Sequence, residues 1–210
     1  MMPRFSMLPG KQAIYILLAR DSRLSEGKTV GVDFGCGAML NRRIFRTAEY
    51  WGVDADKPTL EKGMRRHPEA RGVLSKIEDA DVPPADFAIC INVFFGTNFE
   101  KATDEVVVLD SIIRKISPGG TLLVTFAPKR AWRDMIDKLA GAFSHVTQIG
   151  LDLPNRPQTP LAPLIAVRHL RNTSNPQDWP PAKHSDRDRV PAKLPEWRRI
   201  YCRCEGKVGV

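Results

Sequence analysis

Two short stretches decide the fold: Val30-Gly31-Val32-Asp33-Phe34-Gly35-Cys36-Gly37 and Gly52-Val53-Asp54. The first runs through apolar residues to paired glycines, which predicts a buried strand followed by a tight turn. The second predicts another short strand that ends on a carboxylate. Asp54 follows Gly35 by 19 residues, close to the interval of about 20 at which one nucleotide spans two neighbouring parallel strands. The two stretches therefore predict a site for a nucleoside-containing cofactor.

A third stretch extends this pattern. Ser117-Pro118-Gly119-Gly120-Thr121-Leu122-Leu123-Val124 predicts a glycine turn that leads into another buried strand. Asp33-Phe34-Gly35-Cys36-Gly37 resembles the first motif of the class I S-adenosylmethionine-dependent methyltransferases, Asp/Glu-x-Gly-x-Gly. Gly52–Asp54 resembles that family's second motif, and Ser117–Val124 resembles its Pro-Gly-Gly turn and strand. The resemblance covers about residues 11–170, and it implies S-adenosyl-L-methionine as the cofactor and methyl transfer as the activity.

The same resemblance implies a set of cofactor-binding residues. The glycine turn would let the amino-acid end of the cofactor approach the backbone, with Asp33 facing its ammonium group. Asp54 would accept hydrogen bonds from the ribose hydroxyls, and Ala55 would lie at the edge of the adenine. Ile77–Pro83 is similar to the family segment Gly-Asp-Ala-x-x-Leu-Pro, which assigns the adenine amino group to Glu78. The full predicted set is Asp33, Gly35, Cys36, Gly37, Asp54, Ala55, Glu78, Asp79 and Asn92.

The end of the fourth predicted strand points to the methyl acceptor. Asn92-Val93-Phe94-Phe95 is similar to the Asn-Pro-Pro-Tyr/Phe signature of methyltransferases that act on amino nitrogens, although both prolines are missing. We predict three catalytic residues: Asn92 would orient a polar acceptor, and Phe94 and Phe95 would wall its pocket. The alternative is that the two aromatic rings belong to the core. None of the four histidines falls at the predicted rim, so no catalytic base is predicted.

Three departures from the family pattern leave other functions open. Met39 stands where a third glycine often sits, Ile77 replaces a glycine, and both prolines after Asn92 are absent. These departures favour the alternative of a non-catalytic interaction module with the same fold. A NAD-binding oxidoreductase is a further alternative, since paired glycines followed by Asp54 also suit a dinucleotide.

Hydrophobic periodicity predicts strands that alternate with helices. The predicted strands are 29–34, 50–53, 71–74, 85–93, 121–126, 146–151 and 164–169, and the predicted helices are 11–21, 38–47, 58–66, 104–116 and 131–141. This alternation predicts an α/β fold with a doubly wound, mostly parallel sheet of seven strands. Because no helix is predicted between the last two strands, we expect the final strand to be antiparallel, as in the Rossmann-like methyltransferase fold.

Composition divides the chain of 210 residues into two predicted parts. Residues 1–170 would form the cofactor-binding domain. Residues 171–210 would form a basic, proline-rich extension that is partly irregular, in which 196–204 regain residues that favour order. That segment would dock on the domain, cover the site or mediate dimerisation.

Charge and cysteine usage bear on partners and location. The net charge is +8, and residues 171–210 hold nine Lys or Arg against five Asp or Glu. A small-molecule acceptor is favoured, with nucleic acid kept open by the basic extension. Cys202-Arg203-Cys204 has no second Cys/His pair nearby, so no metal site is predicted. We expect no signal peptide, no membrane span and a cytoplasmic location.

Overall fold

The computed structural model describes residues 6, 8–94, 102–127, 132–151, 160–172, 177–179 and 199–209. Its strands are β1 (Val30–Phe34), β2 (Glu49–Asp54), β3 (Arg71–Leu74), β4 (Ala85–Phe94), β5 (Ile116–Phe126), β6 (Phe143–Leu151), β7 (Gln177–Trp179) and β8 (Arg199–Lys207). Its α-helices are α1 (Pro9–Asp21), α2 (Lys57–Arg66), α3 (Ala102–Arg114), α4 (Trp132–Ala142) and α5 (Ala162–Asn172). Within the described residues the strands form one sheet in the order β3-β2-β1-β4-β5-β8-β6-β7.

The first five strands form the parallel part of the sheet. β1 pairs in parallel with β2 and β4, β2 with β3, and β4 with β5. Along β4, Phe87 and Ile89 face one core while Ala88 and Cys90 face the other. A strand that is covered on both faces reads as a continuous apolar run, and this explains why β4 was predictable from its sequence. The predicted doubly wound sheet is confirmed.

β8 completes the sheet from far along the chain. It lies antiparallel between β5 and β6, with Val124 opposite Cys202 and Ile149 opposite Tyr201. The predicted antiparallel final strand is therefore confirmed, although it comes from 199–207. The sheet has eight described strands instead of the predicted seven, because β7 adds a short antiparallel strand beside β6. The division of the chain at residue 170 stays a prediction.

The predicted strand at 164–169 is wrong, because this segment belongs to α5. Ala162 and Ala166 are fully buried and lie four residues apart, a spacing that places both on one helix face. The small side chains of α5 allow it to pack closely on α1. A short apolar run such as Leu164–Val167 does not distinguish a strand from a helix by periodicity alone.

The predicted helix at 38–47 is also wrong. Met39 has a φ angle of 52°, a left-handed conformation that a right-handed helix cannot include. The chain instead makes turns and one short 3₁₀ segment, Arg42–Ile44. Phe45 then leaves the turn in extended conformation, and its ring packs edge-on against Tyr50 and Phe87. The Phe45 ring thus covers a part of the sheet that the predicted helix would have covered.

Helices lie on both faces of the sheet. α3 and α4 pack on one face through Leu109, Ile112 and Leu139, which are fully buried. α1 packs on the other face through Ile14 and Leu17. Among the helices that the structure describes, none is long and apolar enough for a bilayer crossing.

A buried carboxylate joins α1 to β8. Asp21 ends α1 and is only 3% exposed. The Tyr201 hydroxyl donates to its Oδ2 atom at 2.7 Å, and Arg20 donates to both carboxylate oxygens at 2.7 and 2.9 Å. Because a buried charge is costly unless it is hydrogen-bonded, this arrangement fixes the position of β8 against α1.

Tyr201→Phe tests that contact. Removing the hydroxyl takes one hydrogen-bond donor away from Oδ2 of buried Asp21. We therefore expect the free energy of unfolding to fall by about 2 kcal/mol. Urea denaturation measures the change. The matched control is Ser144→Ala, which removes an exposed hydroxyl that donates to the carbonyl of Glu205 on β8, the strand that also holds Tyr201. This change is expected to lower the free energy of unfolding by less than about 0.5 kcal/mol. Equal losses for the two variants would contradict the assignment.

Candidate nucleoside site

The carboxyl ends of the parallel strands surround one cavity of about 740 Å³. In a sheet of this kind, ligands bind outside the carboxyl ends of the strands. The lining residues lie at or just beyond the carboxyl ends of β1, β2, β3 and β4, or on α3: Gly35, Asp54, Ala55, Ser75, Lys76, Ile77, Glu78, Asn92, Val93, Asp104, Val107 and Val108. Five of the predicted site residues are among them, namely Gly35, Asp54, Ala55, Glu78 and Asn92.

The glycine turn after β1 has a backbone that other residues would not adopt easily. Gly35 and Gly37 have φ angles of 71° and 51°, in the left-handed region that favours glycine. A Cβ atom on Gly35 would also collide with Cγ2 of Val93. The turn is held against β2, because the N–H groups of Gly35 and Cys36 both donate to the Val53 carbonyl, at 2.8 and 3.0 Å. The φ angle and the close contact with Val93 therefore require glycine at position 35, which itself lines the cavity.

Asp54 connects this turn to the end of β2. Its Oδ2 atom accepts a hydrogen bond from the Gly37 N–H at 2.7 Å, and its Oδ1 atom accepts one from the Asp56 N–H at 2.9 Å. A carboxylate has about four lone-pair positions, so the same oxygens can accept further hydrogen bonds from the cavity. Asp56 has a different task, since its side chain caps α2 by accepting from the Thr59 N–H at 3.3 Å.

Met39 and Cys36 pack beneath the turn. Met39 is fully buried, and a Cβ atom on Gly52 would lie 2.9 Å from Met39 Cε and 2.9 Å from Cys36 Sγ. A Cβ atom on Gly63 would lie 2.7 Å from Met39 Cγ. The two glycines thus make room for the methionine between β2 and α2. The side chain that replaces the third glycine of the family pattern belongs to the core and does not line the cavity.

Asp33 also lies beneath the turn. It is fully buried, and its Oδ2 atom accepts a hydrogen bond from the Tyr50 hydroxyl at 3.0 Å. Oδ1 has no hydrogen-bond partner among the described residues. Burial raises the pKa of Asp33 to about 7, and the Tyr50 hydroxyl opposes this shift only in part. Its predicted role toward a ligand ammonium stays a prediction.

The segment after β3 forms the other end of the cavity. Ile77, together with Ala55 and with Val107 of α3, provides apolar lining there, and Glu78 provides a carboxylate. The Glu78 carbonyl accepts from Ser111 Oγ and Lys115 Nζ, both at 3.2 Å, which ties the segment to α3. Asp79 is exposed, and its N–H donates to the Lys76 carbonyl at 3.2 Å.

The end of β4 places Asn92 at the cavity. Its backbone N–H donates to Thr125 Oγ1 at 2.9 Å, and its side-chain Oδ1 accepts from Arg199 Nη1 at 3.1 Å. Phe94 is 1% exposed and belongs to the core cluster between the sheet and α3. Phe95 lies outside the described residues. The catalytic roles assigned to these three residues stay predictions.

Sequence reasoning missed several residues around the cavity. Ser75 and Lys76 follow directly from the end of β3, so their position could have been inferred. Val107 and Val108 lie in α3, the helix after β4, and line the cavity. Thr125 and Arg199 contact Asn92 from β5 and β8, and no local sequence signal indicates such contacts between distant strands.

The residues fit a nucleoside-containing cofactor on three counts. Gly35 lines the cavity without a side chain, Asp54 presents a carboxylate at a strand end, and an apolar slot with a carboxylate adjoins it. Carboxylates at this place suit ribose hydroxyls and an exocyclic amino group.

In sequence, the chain is similar to a known methyltransferase. No family model matches the chain. Over 118 residues the chain is 34% identical to trans-aconitate 2-methyltransferase of Sinorhizobium medicae (strain WSM419). The matched region covers 51% of this chain and 41% of that protein. The chain therefore spans less than half the length of this relative.

Solved structures extend the likeness over nearly the whole chain. N-methyltransferase NodS from Bradyrhizobium japonicum WM9, in complex with S-adenosyl-L-homocysteine, has a TM-score of 0.63 at 14% identity, covering 95% of this chain and 88% of that one. Magnesium protoporphyrin IX methyltransferase from Synechocystis PCC 6803, with bound S-adenosylmethionine, has a TM-score of 0.55 at 14% identity, covering 93% and 79%. These likenesses confirm the predicted fold.

The buried Asp33 carboxyl predicts a pH-dependent stability. Its folded-state pKa of about 7 lies above the unfolded value of 3.8, so between these values the folded protein holds a proton that the unfolded chain has released. Linkage then requires the stability to fall as the pH rises from about 4 to about 7. At about 1.4 kcal/mol per pKa unit, the full effect is at most about 4 kcal/mol.

Asp33→Asn isolates this contribution from other titrating groups. We expect the variant to lose less stability than the native protein between pH 4 and pH 8 in urea denaturation, because its amide does not ionise. Asp56→Asn serves as the control, since asparagine also caps helices well, and its pH profile should run parallel to that of the native protein. Parallel profiles for Asp33→Asn and the native protein would exclude the assignment.

Proposed function

We propose that this chain, which has the Rossmann-like fold of the class I S-adenosylmethionine-dependent methyltransferases, binds S-adenosyl-L-methionine and transfers its methyl group to a small molecule. The observation that supports the proposal most strongly is the contact between Asp54 and the glycine turn. The Gly37 N–H and the Asp56 N–H both donate to Asp54, so the carboxylate is oriented before any ligand arrives. Pre-organisation of this kind lowers the cost of binding.

The residues at the cavity form two groups, one for each end of the cofactor. Asp54 would bind the ribose hydroxyls, and Ala55, Ile77 and Glu78 would surround the adenine. Gly35 would lie beneath the amino-acid end of the cofactor. When bound, the cofactor supplies a methyl group that its sulfonium already activates for transfer.

The remaining task of the chain is to position the acceptor. Since the methyl donor is activated, alignment of the two reactants accounts for most of the acceleration that a protein can provide. Asn92 lies at the end of β4, beside the glycine turn, and is the described polar residue best placed to meet an acceptor there.

A catalytic role is supported over a non-catalytic one by the placement of Met39. Its side chain packs against Gly52 and Gly63, and it is not among the residues that line the cavity. A small acceptor is supported by the relative from Sinorhizobium medicae, whose name gives trans-aconitate as its substrate. Binding of nucleic acid through the basic extension stays a prediction.

Titration calorimetry with S-adenosylhomocysteine tests the proposal. We expect micromolar binding by the native chain and a loss of at least about tenfold, or 1.4 kcal/mol, in Asp54→Ala, since the variant removes both the ribose acceptor and the contact to Gly37. Asp56→Asn is the matched control and should bind as the native chain does. Thermal unfolding of each variant shows whether the loss reflects the site or the fold.

The outcomes separate the functions under consideration. Binding by the native chain that Asp54→Ala abolishes, with the fold retained, supports the methyltransferase proposal. Absence of binding in the native chain would overturn it and favour an interaction module, whereas binding of NAD in place of S-adenosylhomocysteine would favour an oxidoreductase.

A further inference from the structure

We propose that the methyl acceptor is a carboxylic acid, and that Arg199 determines this preference by fixing the orientation of the Asn92 side chain. The inference rests on the proposed function and deepens it by naming the substrate class. Arg199 acts through Asn92, so its role is that of a positioning residue.

The backbone at Asn92 is distorted in a way that directs its side chain. The pairing of β4 with β5 shifts register between Cys90 and Phe94, and irregularities of this kind re-aim side chains near functional sites. Asn92 has a φ angle of 63°, which is uncommon for residues other than glycine. Its N–H leaves the regular ladder and donates to Thr125 Oγ1 at 2.9 Å. The strand thus turns Asn92 toward the cavity that it lines.

The contact with Arg199 determines which end of the Asn92 amide faces the ligand. Arg199 Nη1 lies 3.1 Å from Asn92 Oδ1. A guanidinium has only donors, so the amide oxygen must be the atom that faces it. The group that Asn92 has left to offer is its NH₂, which is a donor. A ligand that meets Asn92 through this group must therefore present an acceptor atom, as a carboxylate oxygen does.

The charged residues near the carboxyl ends of the strands also favour an anionic acceptor. Asp54 and Glu78 lie at the end formed by β2 and β3. Arg199 begins β8, next to Ile200, which pairs with Phe126 at the carboxyl end of β5. Arg199 therefore places a cation beyond β4, on the side of the sheet edge away from Asp54 and Glu78.

An ammonium acceptor is disfavoured by this arrangement. It could reach only the second lone pair of Asn92 Oδ1, beside a guanidinium of the same charge sign. The guanidinium of Arg199 is partly withdrawn from water, and this burial lowers its pKa. A charge in such surroundings interacts more strongly than one in bulk solvent, so an anion gains and a cation loses near Arg199.

The chemistry of a carboxylate agrees with the residues at the cavity. A carboxylate oxygen forms its bond to the methyl carbon while the carbon–sulfur bond breaks, and the electron pair of that bond stays on sulfur. The negative charge of the acid and the positive charge of the sulfonium disappear together, and the products are a methyl ester and a neutral thioether. No proton is released, so no base is needed. Among the described residues that line the cavity there is no histidine.

Binding measurements on the full chain saturated with S-adenosylhomocysteine test the inference. The acid probes are succinate, tricarballylate, citrate and trans-aconitate, and the amine probe is 1,4-diaminobutane, which matches succinate in carbon number and has the opposite charge. We expect at least one acid to bind with a dissociation constant below about 1 mM, and the diamine to bind more weakly than succinate.

Two variants separate a positioning role from a structural one. Arg199→Ala releases Asn92 Oδ1, so the acid should bind at least about tenfold more weakly while the diamine binds more tightly. Asn92→Asp keeps a partner for Arg199 and replaces the NH₂ donor by a carboxylate, so acid binding should be lost while thermal stability is retained. Lys207→Ala removes another cation from the far end of β8 and serves as the control, with acid binding unchanged.

Each outcome decides the matter. If S-adenosylhomocysteine binds but none of the four acids does, or if the diamine binds more tightly than every acid, the inference is overturned and the proposed function stands. If Arg199→Ala weakens acids and the diamine equally, Arg199 has a structural role only and the inference is again overturned. If S-adenosylhomocysteine itself does not bind, the proposed function fails first.

Discussion

The ladder between β5 and β8 is the interaction on which the rest of the structure depends. β5 and β6 do not pair with each other, and β8 lies between them and forms hydrogen bonds to both. Its side chains alternate between the two faces, so Cys202 and Cys204 enter one core while Tyr201 enters the other. Without β8 the sheet would have two separate parts with unpaired edges, and neither core would be closed. The contact between Tyr201 and Asp21 adds the first helix to the same assembly.

The nucleoside site lies at the carboxyl ends of β1 to β4 in the same sheet, and hydrogen bonds between neighbouring strands hold it together as well. A backbone group finds its partner on a neighbouring strand: Gly35 and Cys36 donate to Val53, and Gly37 donates to Asp54. The Asp54 carboxylate thus belongs to the fold and to the site at once. This double use explains why the chain has glycines and a carboxylate at this spacing. The turn needs glycines for its positive φ angles, and its Gly37 N–H group needs the Asp54 carboxylate as an acceptor.

The sequence predicted the structure correctly where a local conformation, or the binding of a ligand, requires particular residue types. The glycine turn, the strand ending on Asp54 and the apolar run of β4 were all predictable, because each has a local physical signature. The helix at 38–47 was not, because Met39 adopts a left-handed conformation that depends on space made by Gly52 and Gly63. The segment 164–169 was wrongly predicted as a strand, because the packing of two alanines of α5 on α1 determines that this segment is helical. Arg199 was missed because its contact with Asn92 spans 107 residues of sequence.

The position of β8 in the chain has a consequence for how the protein folds. β1 to β5 can pair with one another as soon as they are made, since all five lie within the first 126 residues. The outer edge of β5 must then wait for a strand that begins 73 residues later, at Arg199. Contacts between such distant segments form slowly, because the intervening chain must first lose entropy. During that interval β5 presents an unpaired apolar edge, which is a template for strands of other chains. The step that closes the sheet is therefore also the step at which aggregation competes with folding.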